Sequence, residues 1–222
     1  IIVGKNKDGQ PVTLNTTLNG DSNQDFSFAS ISRVSGVLRS ADGVVVDGAN
    51  VRLCGSACSE VRTDQNGRYA FSVDAKQTYY FEVDSYQRDH WPDFYRRKLP
   101  ASFRVTWKSF TVLSDVQVDL TLPATKTLNL HFVDASGSPV TQASFQDMDE
   151  RPFYGCVYNQ CSSASPYSQI ESGGPGENWG DWGFGDADGN FSFVTFGVTN
   201  TPGVIIVGKN KDGQPVTLNT TL

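Results

Sequence analysis

The chain reads as an all-β protein assembled from repeats, and three observations carry that prediction. Val, Thr, Ser, Phe, Tyr, Gly and Asn dominate, there is one Met, and Ala never clusters at helical spacing. That mixture suits half-buried pleated strands joined by turns. Short alternating segments such as RYAFSVD at 68–74 follow one another between turns rich in Gly, Asn and Asp. Finally, the first 18 residues, IIVGKNKDGQPVTLNTTL, recur without a change at 205–222. Identity of that length at an offset of 204 residues marks a tandem array, so the sequence holds one period plus an overlap.

Bulk properties narrow the partners. With 222 residues the chain has room for one or two domains, and 38% hydrophobic with 19% charged residues is a globular composition. Net charge is −6 and no run of Lys or Arg occurs, which argues against nucleic acid or an anionic membrane surface as partner. The longest apolar stretch, Val204 to Val207, is far too short to span a bilayer.

Strand-like segments succeed one another from Ser32: SRVSGVL, the turn RSADG, GANVRLC, EVRTD, RYAFSVD, TYYFEVD, FRVTWKSFTVL and DVQVDLTL. From Lys126 a similar order begins again with TLNLHFVD, the turn ASGSP and VTQASFQ. After a long irregular stretch it ends with NFSFVTF, GVIIVGKN, the turn KDG and QPVTLNTTL. The two series align. The segment Val37 to Gly43 matches Phe132 to Gly137 with one residue fewer in the second turn, and Gly48-Ala49-Asn50-Val51 matches Gln142-Ala143-Ser144-Phe145. Asp64-Gln65-Asn66-Gly67 and Asp186-Ala187-Asp188-Gly189 both read as tight turns, each followed by two alternating aromatics.

The expected organisation is therefore two related domains per period, 31–123 and 124–222, the second carrying an aromatic and Gly-rich insertion at about 146–185. Residues 1–18 form a hairpin that completes the second domain of the preceding repeat, and 19–30 link the periods. A two-stranded hairpin is marginal by itself and its edge invites pairing, so it needs such a partner.

The segments GVLRSADGVVVDGANVRL and VRTDQNGRYAF resemble the carboxypeptidase regulatory-like domain, a small prealbumin-like β-sandwich, over roughly Val34 to Val83. The second half resembles it weakly and departs by its insertion. The resemblance implies tandem prealbumin-like or Ig-like sandwiches, used as spacer or stalk modules in a bacterial or archaeal surface fibre, and it implies no catalytic residues.

Four cysteines fall as two local pairs, Cys54 with Cys58 and Cys156 with Cys161. An even count, local spacing and a β-sandwich setting favour two disulfides in an oxidising compartment. The alternatives are free thiols, or a four-thiolate zinc site that requires loops about a hundred residues apart to converge. Asp186, Asp188 and Asn190 resemble the start of a calcium loop, but no distal bidentate Glu follows, and the bland alternative is a β-turn.

Aromatics crowd the insertion, among them Tyr154, Tyr158, Tyr167, Trp179 and Trp182. They read as cement for a sheet edge or domain joint, with sugar or protein binding as the alternative; Trp91 falls in a similar aromatic and charged stretch. Asn15, Asn190 and Asn219 open N-glycosylation triplets. Enzymatic chemistry finds no motif: the two His, His90 and His131, lie apart, and Asp147 and Asp149 read as solvated charges.

The expected function is thus a structural module of an extracellular filament or cell-surface adhesin stalk, without cofactor and partnered by copies of itself. The alternative is an adhesin repeat that binds cell-surface glycans or a protein through its Trp/Tyr-rich insertion.

Overall fold

The computed structural model describes residues 1–5, 11–15, 17, 30–85, 98–100, 103–146, 153–156, 161–172, 186–196 and 204–220. Its strands begin with β1 (Ile2–Lys5) and β2 (Pro11–Leu14), then β3 (Ile31–Arg39), β4 (Asn50–Cys54), β5 (Cys58–Arg62), β6 (Arg68–Asp74) and β7 (Gln77–Asp84). Next come β8 (Phe103–Trp107), β9 (Phe110–Val112), β10 (Val116–Gln117) and β11 (Leu120–Thr121). The remainder are β12 (Thr125–His131), β13 (Thr141–Gln146), β14 (Phe153–Cys156), β15 (Tyr167–Ser172), β16 (Asn190–Phe196), β17 (Val204–Lys209) and β18 (Pro215–Thr220). The all-β class read from composition is the class observed.

Alternation decides which side chains go inward. Along β3, Ser32, Val34 and Leu38 are buried, and along β6 Tyr69, Phe71 and Val73 are buried, while the residues between them on β6 face out. β3 is the centre of a four-stranded sheet. It pairs antiparallel with β6 on one side and parallel with the short β10 and β11 on the other. Facing it is a seven-stranded sheet in the order β14-β15-β8-β7-β4-β5, with β9 also on β7. One buried cluster joins the inner faces: Val34, Leu38, Tyr69 and Phe71 against Val51, Leu53, Phe81, Val83 and Val105. Phe81 is 1% exposed, touches Tyr69 edge-on at 5.5 Å and stacks on Phe110 at 5.3 Å. Burying a ring of that size contributes roughly 1.5–3 kcal/mol.

Two features of the second half differ from the sequence reading. First, β14 and β15 fall within the stretch assigned to the insertion of 124–222, yet β15 pairs with β8 and lengthens the first sheet. The physical reason is the edge that β8 otherwise presents, whose unpaired N–H and C=O groups need a partner. Second, the halves align one residue away from the sequence match. The amide of Leu38 donates to Gly67 O and Leu38 O accepts from Val46 N; in the same way the amide of Phe132 donates to Gly189 O and Phe132 O accepts from Val140 N. Leu38 therefore corresponds to Phe132 and Ser40 to Asp134, and the turns that follow have equal length. The match of Gly48 with Gln142 holds: both have positive φ (73° and 54°), and Ala49 and Ala143 after them are both fully buried.

The rest of the second half forms two smaller sheets. β12 pairs antiparallel with β16, and β17 lies between β13 and β18. Phe196, at the end of β16, is fully buried in the first cluster against Phe103 at 5.1 Å.

Candidate functional site

One five-residue turn is used five times, and it places the residues proposed for calcium. In each, the first residue's backbone N–H donates to the fifth residue's carbonyl, and a glycine in the fourth position donates back to the first residue's carbonyl. The glycines are Gly43, Gly67, Gly137, Gly189 and Gly213, all with φ between 70° and 85°. This is the pattern of a turn closed by a left-handed glycine bulge, for which a residue without Cβ is suited. At Gly67 and Gly189 a Cβ would also lie 2.7 Å from Leu38 O and 2.4 Å from Phe132 O.

The leading side chain fastens four of the turns. Asp64, Asp134 and Asp186 each accept two backbone N–H bonds on Oδ1, and Asn210 does the same through its amide oxygen. Asp186 Oδ2 accepts from the Asn190 side chain at 3.2 Å. Both carboxylate oxygens of Asp186 thus serve the turn, and its acidity is increased by the hydrogen bonds from Asn190. Asp188 lies exposed and contributes its carbonyl to a contact with His131. The β-turn reading of this loop matches the observed geometry. Asn190 is exposed, but its amide nitrogen, the atom a glycan would modify, is the one bonded to Asp186.

The repeated hairpin is built twice in the same register. Ile2 pairs with Leu14, Val3 with Thr13, Gly4 with Val12 and Lys5 with Pro11. The second copy pairs Ile206 with Leu218, Val207 with Thr217, Gly208 with Val216 and Lys209 with Pro215. The surroundings differ. β17 has β13 on its other edge, in the register Ser144↔Val207 and Thr141↔Lys209. β1 has no third strand among the described residues. Val3 is consequently 69% exposed, whereas Val207 is half-buried. A Cβ on Gly208 would meet Val140 Cγ1 at 2.5 Å and Thr141 O at 3.1 Å, so the hairpin docks by bringing a glycine flat against the neighbouring chain. Sequence reasoning passed over Gly208 and Val140. The available signal was a glycine inside an apolar strand.

On the outer face of the large sheet, charges alternate across the strands. Arg52 pairs with Glu60 at 3.0 Å, Glu82 at 3.0 Å and Asp84 at 3.3 Å, and Arg104 reaches Glu82 at 3.8 Å. Beside this ladder lies an open groove of about 880 Å³ lined by Tyr80, Glu82, Arg104, Thr106, Lys108 and Gln169.

Cys54 and Cys58 form a disulfide that closes the β4–β5 hairpin, as the spacing predicts. Cys161 is also disulfide-bonded, and Cys156 lies in β14, whose side chains are outside the description. Tyr154 pairs through its backbone with Glu171. Tyr167 packs on Trp107 at 5.6 Å and its hydroxyl donates to Thr121 O at 2.7 Å, so this ring of the insertion does cement a sheet edge. Asn15 is exposed after β2, and Asn219 pairs through its backbone with Ile205. Trp91, Tyr158, Trp179, Trp182, His90, Asp147 and Asp149 lie outside the described residues.

No family model matches the chain, and no curated protein matches it. Three solved structures share a distant likeness. A streptococcal ancillary pilin is 12% identical, with a TM-score of 0.38, and the match covers 86% of this chain and 59% of the pilin. A mutant of the shaft pilin spaA from Lactobacillus rhamnosus GG is 11% identical, with a TM-score of 0.34 over 87% of this chain and 94% of the pilin. A DUF3823 family protein from Bacteroides ovatus is 10% identical, with a TM-score of 0.30 over 87% of this chain and 97% of that protein. The chain spans less than two thirds of the ancillary pilin, and likenesses at these scores carry no functional argument.

Proposed function

We propose that the chain is one period of a structural, non-enzymatic module in an extracellular filament or cell-surface stalk, with two related β-sandwiches per period joined head to tail. The carrying observation is the hairpin that occurs twice with one sequence and one register, once with a third strand beside it and once with that edge open. An open apolar edge is avoided by most folded proteins, and the identical hairpin supplies the template for what covers it. The path of the chain supports the same reading. β3 and the strands that end the first sandwich, β10 and β11, run parallel, so the chain enters at one end and leaves at the other, as a module in series requires. Local disulfides fit an oxidising compartment.

The experiment is the intact mass of the native protein after reduction. A polypeptide several times larger than 24.2 kDa is expected. Subunits of one period would exclude a continuous array. A second reading, glycan or protein binding, draws on the polar groove beside β15; a glycan-array hit that depends on Trp179 or Trp182 would displace the purely structural version.

A further inference from the structure

We propose that the hairpin at 1–18 is a docking key for a second copy of this chain: it takes the seat on β13 that the hairpin at 204–220 occupies within its own copy. This rests on the repeat-module reading and adds a partner, a register and a means of coupling. The seat is the outer edge of β13 together with Val140, which is 6% exposed, and Ala143, which is fully buried. The key is the edge of a hairpin with glycine at its centre, and the close approach at Gly208 shows why. Gly4 is the same residue in the same place, paired to Val12 as Gly208 is to Val216. By that template Val3 faces Ser144 of the second copy and Lys5 faces Thr141. The contact joins two different surfaces, so it propagates into an open chain of copies instead of closing a ring of two.

Within one chain the two hairpins compete for the same seat. The resident hairpin wins through its tether, which holds it at an effective concentration on the order of millimolar. Exchange between copies therefore emerges when the resident key is blunted. In an array each period's key is followed by the next period, and the same seat couples neighbours.

The test uses the full chain and two glycine substitutions. Gly208→Val blunts the resident key, since even a Cβ there meets Val140 and the Thr141 carbonyl. Sedimentation velocity is expected to show assemblies that grow with concentration for Gly208→Val, while the parent chain and Gly4→Val stay monomeric. Gly4→Val/Gly208→Val, with both keys blunted, is expected to lose the assembly. If Gly208→Val and the double variant behave alike, either both monomeric or both aggregated, the inference is overturned.

A register trap reads the same contact independently of how stable the variant is. Mixing Gly208→Val chains that carry Val3→Cys with others that carry Ser144→Cys is expected to give a disulfide-linked dimer, and Lys5→Cys in place of Val3→Cys much less of it. Equal linking from both positions would also overturn the docking register. Failure of either arm leaves the intact-mass measurement untouched, so the two readings fall separately.

Discussion

Tyr69 shows how much of the first sandwich rests on single groups. Its ring packs among Phe71 and Phe81, and its hydroxyl donates to Val118 O in the segment between β10 and β11. Burial first, and the nearby Asp119 charge second, raise its acidity constant well above the usual tyrosine value of 10.0. The consequence for stability has a definite sign. The folded state resists ionisation, so the contribution is fully present below pH 10 and is lost as pH rises above it, where the unfolded chain ionises first. Tyr69→Phe is expected to lower stability by about 1 kcal/mol at neutral pH, because Val118 O loses its donor. It should also make the alkaline decline shallower. Tyr79 and Tyr167 are shifted the same way, so part of the slope remains. Urea titrations at neutral pH and above pH 10 measure both effects; an unchanged alkaline slope would refute the assignment to Tyr69.

The same carbonyl governs an element. A Cβ on Gly36, in the middle of β3, would lie 1.7 Å from Val118 O, so only glycine lets the last strands of the sandwich lie against the first. Asp115 and Asp119 reinforce the seam by accepting the amides of Arg33 and Val37. Because β3 and β10–β11 are parallel, a pull along the array loads their ladder in shear, all bonds together, instead of peeling them one by one. Gly36→Val is expected to cost about 3 kcal/mol, the upper range for overpacking. It should also reduce the unfolding force in single-molecule stretching, while Leu113→Ala, at a 73% exposed position, leaves that force unchanged. Equal forces for the two variants would move the mechanical seam elsewhere.

This seam was not legible in the sequence. Val116 to Leu120 read as one continuous strand, and nothing local reveals that it pairs with a segment about 80 residues earlier. The turns were legible, because Asp64 to Gly67 and Asp186 to Gly189 set their geometry with their own side chains and glycines. The turn at Ser40 misled by one position, since a serine stands where the other halves have Asp and the match followed Asp42 instead. The hairpin's fold was legible twice over, but its seat on β13 was not, since close approach at Gly208 is a three-dimensional fact.

At the scale of the molecule, the question is whether a period unfolds in pieces or as one block. Three connections run between the halves. β15 extends the first sheet at β8, Lys108 donates through its backbone and side chain to carbonyls of Pro166, Ser162 and Ser163, and Phe196 fills the first core against Phe103. Two sandwiches linked only by a tether would melt independently; these connections place a core side chain of one half inside the other. A single transition is therefore expected for the parent chain, with tryptophan fluorescence and circular dichroism coincident along a denaturant titration. Phe196→Ala removes a fully buried ring, at a cost of about 3–5 kcal/mol, and removes it from the junction itself. The variant should show two separated transitions, the half that contains β12 and β16 melting first. A Phe196→Ala chain that still unfolds in one coincident step would mean that β15 and the Lys108 contacts alone couple the halves. A loss below about 1 kcal/mol would mean that the ring is not part of the shared core.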